Sequence, residues 1–479
     1  MLGLLMHSPC AASLTCPSTP MPACLSVLRS NEDFSPQQPA KPAYSLLPAQ
    51  AARIDERGWC AMDLTTKLRS QPPCPSFRIF EDGIGGCIKA RPEDFQVEEI
   101  PWRDPSGQGE YLYLFVEKNG MSHGELLAVV RKAFDCEARD VGYAGMKDKA
   151  AVTRQWLSIP KKFSENASHF NHEQVRLLGT IQADRPLRRG DLRGNRFVIK
   201  IRDIDPIKAI QAGRMLQKIE EDGLPAFYGP QRFGYRQNNH RLGGALLTND
   251  WQGALDELLG PSDGNYPPHQ TALREAWSSQ DAEALRSGWR PSQRFEMLAA
   301  RKWLKYHDAE KSIRSGGRVT LNFLTSAFSS FLFNQILEER CRRGLLQVHQ
   351  EGDLSVDPLK KSTLAAEEGG IPSALFWGKD AQLADGIQGE IERQVLKTYD
   401  IQPEWLQNRW APYGERRPMR FHISNAGVEG GFDEHGSYIE LRFTLPRGMF
   451  ATVVAAEIMG EQDHPETDED QISPDAPSA

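Results

Sequence analysis

The sequence predicts an α+β fold: a strand-rich body with helices packed against it, interrupted by an inserted second domain. Three observations carry this expectation. Segments that alternate like strands cluster from Phe80 to Ile204 and return at Gly436, near the end of the chain. Between about Trp251 and Asn425 the texture shifts to Pro- and Gly-rich spacers around a long helical run. A chain of 479 residues has room for two or three domains, each able to bury its own core.

Residues 1–75 are rich in Pro, Ser, Ala and Cys without a sustained period, so they read as a flexible N-terminal extension, with Met62 as an alternative start. Its opening lacks the basic stretch and sustained apolar core of a secretory signal. Residues 76–250 form the first part of the main domain. GGCIKARPEDFQVEEI and GEYLYLFVEKNG alternate like strands, the second ending in an Asn119-Gly120 turn. In MSHGELLAVVRKAFDC, Ser122 and Glu125 make a capping box, and Leu126, Leu127, Val130 and Phe134 fall at helical spacing.

Then come GYAGMKDKAAVTR, the strand-like QWLSIP, an arginine-studded turn feeding a β run from Arg196 to Ile204, and a helix near Asp205–Asp222. Residues 251–424 read as the insertion, with the amphipathic run TLNFLTSAFSSFLFNQILEERCRRG. Residues 425–460 supply a last strand, a Pro-Arg-Gly turn and a helix. Residues 461–479 form an acidic, disordered tail.

Composition sets limits on function. The 39% hydrophobic and 25% charged fractions are those of a soluble protein, and no window approaches the roughly 18 apolar residues a membrane span needs. The eight cysteines show no CxxC pair or His spacing that would mark a metal site, and read as reduced thiols of the cytoplasm. The net charge of -7 argues against a nucleic-acid partner until the tail is removed, which leaves 57 acidic against 57 basic residues.

Five segments could carry chemistry. Asp148 lies between Lys147 and Lys149 after a glycine-containing turn. Flanking cations favour an ionised carboxylate able to act as nucleophile or base, although Asp is equally common as a turn residue. IKARPEDFQVEE offers Lys89, Glu93, Asp94 and Phe95 near a strand start, or simply a charged edge strand. AFYGPQRFGYRQNNHR interleaves aromatics with arginines, among them Arg232 and Phe233, a mixture that suits stacked RNA bases or ordinary packing. Arg188, Arg189 and Arg193 sit in a turn dense enough to grip a phosphate backbone, or are merely solvated. Phe450 follows the last glycine turn at a helix start.

Taken in order, IKARPEDFQVEEI, GYAGMKDKAAVTRQW, LRRGDLRGNRFVI, FYGPQRFG and LPRGMFATVV resemble the successive motifs of the TruD family of tRNA pseudouridine synthases, from about Gly86 to Glu457. The resemblance implies a pseudouridine synthase-type catalytic domain with a central mixed or antiparallel sheet, interrupted by an α/β TRUD domain. It also implies isomerisation of uridine in tRNA, at position 13 in the family's usual bacterial target, without a cofactor or metal. Asp148 takes the place of the catalytic aspartate and Lys89 that of a nearby lysine, with Lys147 a second group able to keep the acid ionised. Phe95 and Phe450 take the substrate-contacting aromatic places. The partner implied is tRNA; no membrane and no obligatory protein partner are expected, and a monomer is expected.

One departure bears on activity. Ala226 stands where the family usually carries a substrate-contacting asparagine, which leaves Asn238 or Asn425 to replace the amide. IPSALFWG and Ala456 also depart from family-like residues, away from the acid. The competing reading is an RNA-binding or tRNA-folding protein on the same scaffold with impaired catalysis. A carboxylate hydrolase is disfavoured because no second acid stands at a recognisable spacing.

Overall fold

The computed structural model describes residues 64–262, 266–357, 363–365 and 370–460. The acidic tail and most of the expected N-terminal extension therefore lie outside the described residues. The last part of that extension is folded, contrary to expectation. Helix α1 (Leu64–Arg69) buries Leu68 completely, and the Pro73 carbonyl accepts a 2.9 Å bond from Asn334. A helix of 6 residues is too short for its apolar period to stand out in the sequence.

An α+β architecture follows. Its main sheet is built from β1 (Phe95–Pro101), β2 (Tyr111–Asn119), β3 (Gly142–Tyr143), β4 (Val152–Pro160), β5 (Val175–Ala183) and β6 (Leu192–Arg202). Helix α2 (His123–Phe134) lies between β2 and β3, and α3 (Ala209–Asp222) follows β6. After the short β7 (Leu224–Pro225) come α4 (Asn239–Leu247), α5 (Trp251–Leu259), α6 (Thr271–Ser279), α7 (Ala282–Ser287), α8 (Arg294–Tyr306), α9 (Ala309–Arg314) and α10 (Gly317–Arg342). A smaller sheet then forms from β8 (Leu354–Val356), β9 (Thr363–Ala365), β10 (Ile371–Phe376) and, beyond α11 (Gly386–Thr398), β11 (Glu415–Pro418). The chain returns through β12 (Arg420–Phe421), which pairs with β7, to β13 (Ser424–Asp433), β14 (Gly436–Pro446) and α12 (Ala451–Met459).

Among the described residues the main sheet has the order β13-β14-β6-β1-β4-β2-β5, with β3 on β4. It is mixed: β1 and β4 run parallel, Gln96 opposite Val152, while the other neighbours are antiparallel. Alternation explains what each strand buries. The inward Phe197, Ile199 and Ile201 of β6 share a core with Met215, Leu216 and Ile219 of α3 and Val454, Ala455 and Ile458 of α12. At the other end of the strand order, Leu112, Leu114 and Val116 of β2 pack on Leu126, Val130 and Phe134 of α2. The expected capping box is present, Ser122 Oγ accepting from Glu125 N and the Glu125 carboxylate from Ser122 N.

The amphipathic expectation for α10 needs correcting. Ser329, Ser330 and Asn334 are buried along with Leu324, Phe328, Phe331 and Leu332, because α4, β10 and α11 all pack against this helix. Gly243 of α4 permits the close approach, since a Cβ there would lie 2.1 Å from the Leu324 carbonyl oxygen. No helix among the described residues is long and apolar enough to cross a membrane.

Candidate active site

Because β1 and β4 are parallel neighbours, their N-terminal ends lie side by side, and the loops entering them meet. The loop into β1 carries Lys89, in left-handed backbone with φ of 59°. The loop into β4 carries Asp148, and the two side chains pair at 2.8 Å, Nζ to Oδ2. The same ammonium lies 4.6 Å from the centre of the Phe95 ring. Three of the expected residues are thus brought together by one feature of the topology.

Half of the Asp148 side chain, 54%, is open to solvent. Protein atoms nevertheless ring the carboxylate closely enough that desolvation is the largest single influence on its pKa, and alone would raise it. The ion pair and hydrogen bond with Lys89, with the charges of Lys118 and Lys147, outweigh that and hold the pKa below the usual aspartate value. The result is an ionised carboxylate that remains half open to solvent.

Lys147 stands apart from Asp148 in its bonding. Its ammonium pairs with Glu99 at 2.5 Å, in a buried pair whose other carboxylate oxygen accepts from Trp156 N. It contributes charge at a distance while tying the loop to β1. Phe95 differs more: it is 2% exposed and packs edge-on against Phe197, 6.1 Å between ring centres, so it supports Lys89 and offers no open face for stacking. Its place as the first residue of an inward-alternating strand explains the burial.

Phe450 is half-buried at the N-cap of α12, its ring 6.4 Å from that of Tyr228. Arg232 and Phe233 are a correction. Arg232 is buried, donating to Ser330 and Ser326 of α10 with its guanidinium over the Tyr228 and Phe323 rings, and Phe233 is fully buried against His240. Interleaved aromatics and arginines here build a core rather than a stacking platform. Of the suggested replacements for the missing amide, Asn238 is committed, being buried and donating to Glu257, whereas Asn425 is exposed and reaches Thr444 at 3.4 Å. Ala226 itself is buried, its N–H bonded to the Met419 carbonyl.

The basic turn abuts this site. Gly190, at φ of 90°, donates to the Ala144 carbonyl at 2.8 Å, and Arg189 reaches the Tyr143 hydroxyl at 2.9 Å. Arg188, Arg189 and Arg193 are all exposed. Asp191 caps the turn, accepting from Arg188 N and pairing with Arg185.

Lys118 and His123 belong to the site without having stood out in the sequence. Lys118 occupies an inward position of β2 and is wholly buried. His123 packs edge-on to Tyr143, and burial, with the charges of Lys118, Lys147 and Arg189, pushes its pKa down to about 4. Among the described residues no group of His, Cys, Asp and Glu is placed to hold a metal ion.

The mixed sheet thus presents, where the loops into two parallel strands meet, one lysine-paired aspartate that is half open to solvent. Residues 76–458 match the family model of tRNA pseudouridine synthase D (TruD). The chain is 34% identical over 390 residues to the tRNA pseudouridine synthase D of Geotalea daltonii, an alignment covering 79% of this chain and 97% of that protein. It is 32% identical over 389 residues to that of Thermus thermophilus, covering 79% and 89%. A crystal structure from Methanosarcina mazei described as TruD shares the fold with a TM-score of 0.67 at 24% identity, covering 81% of this chain and 96% of that one. The chain belongs to the TruD family of tRNA pseudouridine synthases, a family of isomerases.

Proposed function

We propose that this protein converts uridine to pseudouridine in tRNA, at position 13, with Asp148 as the reacting group. The observation that carries the reading is the Asp148 carboxylate, reachable from solvent yet held ionised by Lys89 and two further lysines. The reaction breaks the bond from C1′ to N1, turns the uracil, joins C5 to C1′ and releases the C5 proton, with no net redox change. A fixed carboxylate can attack C1′ or the base and later accept the C5 proton.

The target nucleotide leaves its stack, which costs a few kcal/mol, and the half-buried ring of Phe450 is the aromatic surface that receives it. Arg188, Arg189 and Arg193, on the turn bonded to the Asp148 loop, hold neighbouring phosphates. In this reading residues 76–250 and 425–460 form the catalytic domain, 251–424 the inserted one, and the protein acts as a cytoplasmic monomer.

Tritium release from tRNA labelled at uridine C5 tests the reading. Release by the wild type, its absence with Asp148→Asn, and its loss from a transcript lacking uridine 13 are expected. Release by the Asp148→Asn variant would assign the chemistry to another group.

A further inference from the structure

Lys118 invites a question that packing does not answer. Its side chain is fully buried at the end of β2, where an apolar residue would avoid the loss of hydration that a buried ammonium suffers. What the lysine supplies is two hydrogen bonds and a charge. Its Nζ donates at 2.6 Å to the main-chain carbonyl of Met121, at the entrance to α2, and at 2.6 Å to the main-chain carbonyl of Asp148 itself. The Gly120 N–H, two residues on, donates to the Ala151 carbonyl at the far side of the same loop.

We infer that Lys118 is a positioning residue for the isomerisation: it clamps the backbone of Asp148 from below while Lys89 holds the carboxylate from the side, and its buried charge lies behind the reacting group. This rests on Asp148 being the reacting carboxylate. The Gly190 and Gly120 N–H bonds tie the two ends of the loop, whereas a bond to the carbonyl of Asp148 itself fixes where the carboxylate starts from. Burial has pushed the lysine's pKa down to about 8, and the Asp148 charge opposes that fall, so the ammonium form is tied to the aspartate.

The charges that act on Asp148 come from Lys89 before β1, Lys118 on β2 and Lys147 on its own loop, the last paired with Glu99 of β1; Glu125 of α2 acts on Lys118, and His123, beside it, is neutral above pH of about 4. Lys118 is among those that lower the Asp148 pKa, so its removal raises that pKa and moves the acid limb of the rate profile to higher pH.

Single-turnover tritium release, tRNA affinity and thermal melting are compared for the wild type, Asp148→Asn, Lys118→Met and Lys118→Gln. Lys118→Met is expected to slow chemistry about 10–100-fold with tRNA affinity unchanged. Its acid limb should move to higher pH. Lys118→Gln keeps N–H donors without the charge and covers the case in which Lys118→Met fails to fold; it should be faster than Lys118→Met but share its displaced acid limb. A folded variant as fast as wild type, or a slowed one whose acid limb stays in place, overturns the inference while an inactive Asp148→Asn leaves the role of Asp148 standing. An active Asp148→Asn removes both.

Discussion

Two acid-base pairs in this molecule have similar chemistry and opposite consequences. In the inserted segment Arg340 grips Asp353 through two 2.8 Å bonds, and both side chains are completely buried. In the main sheet Lys89 touches one oxygen of Asp148 and leaves half of that side chain open. The first pair spends both carboxylate oxygens on structure. The second leaves lone pairs available. A carboxylate beside a cation therefore becomes a candidate for chemistry through what remains unused on it, which a sequence motif does not record.

The difference can be pressed experimentally, beginning with its largest consequence. Asp148→Asn should reduce tritium release by about 10⁴-fold, the scale expected when a reacting carboxylate is lost. The melting temperature should barely move, because an exposed ion pair contributes little. Arg340→Met should do the reverse. With Asp353 left buried without its cation, urea unfolding should show a loss of about 3–5 kcal/mol, only partly recovered when Asp353→Leu is added, because the Leu345 and Val348 carbonyls and the Gln350 N–H also lose partners. A double variant no more stable than the single one would break the contrast.

A third test lies between the two pairs, at His123. Its folded pKa of about 4 lies below the ordinary 6.5, so the unfolded chain takes up a proton that the folded one refuses as pH falls between those values. Stability should therefore drop by on the order of 3 kcal/mol across that window, and His123→Leu should flatten the dependence in urea titrations. The smallest effect is on RNA affinity. Replacing Arg188, Arg189 and Arg193 with Ala should lower the slope of log affinity against log salt by about 0.7–0.9 for each phosphate no longer neutralised. An unchanged slope would remove the turn from the RNA-binding surface.

Elements whose burial follows a local rule are legible in the sequence. The capping box at Ser122 and Glu125, the alternation of β2, and the last strand, turn and helix appear where the pattern places them, while β6, expected at Arg196–Ile204, begins four residues earlier at Leu192. Helix α10 misled because its serines and Asn334 read as a polar face, whereas Ser330 and Asn334 are satisfied inside the protein by Arg232, Pro73 and Tyr228. Arg232 and Phe233 misled for the same reason: a composition suited to stacked bases also suits a buried guanidinium between rings. Asp148 and Lys89 were legible through resemblance to a family. Lys118 was not, since a lysine at an inward position interrupts an apolar alternation, and its carbonyl partner lies on a loop 30 residues away.

The order of strands in the main sheet also bears on how the protein is made. Strand β6 pairs with β14, Arg202 opposite Tyr438, so the ribosome must add more than two hundred residues before β6 acquires its outer neighbour. At about 5–20 residues per second that interval lasts roughly 10–50 s. Throughout it a nascent chain carries a strand with unpaired backbone groups and the apolar side chains Phe197, Ile199 and Ile201 awaiting α12. Synthesis rate and chaperone access thus become determinants of yield, with the inserted segment setting the length of the wait.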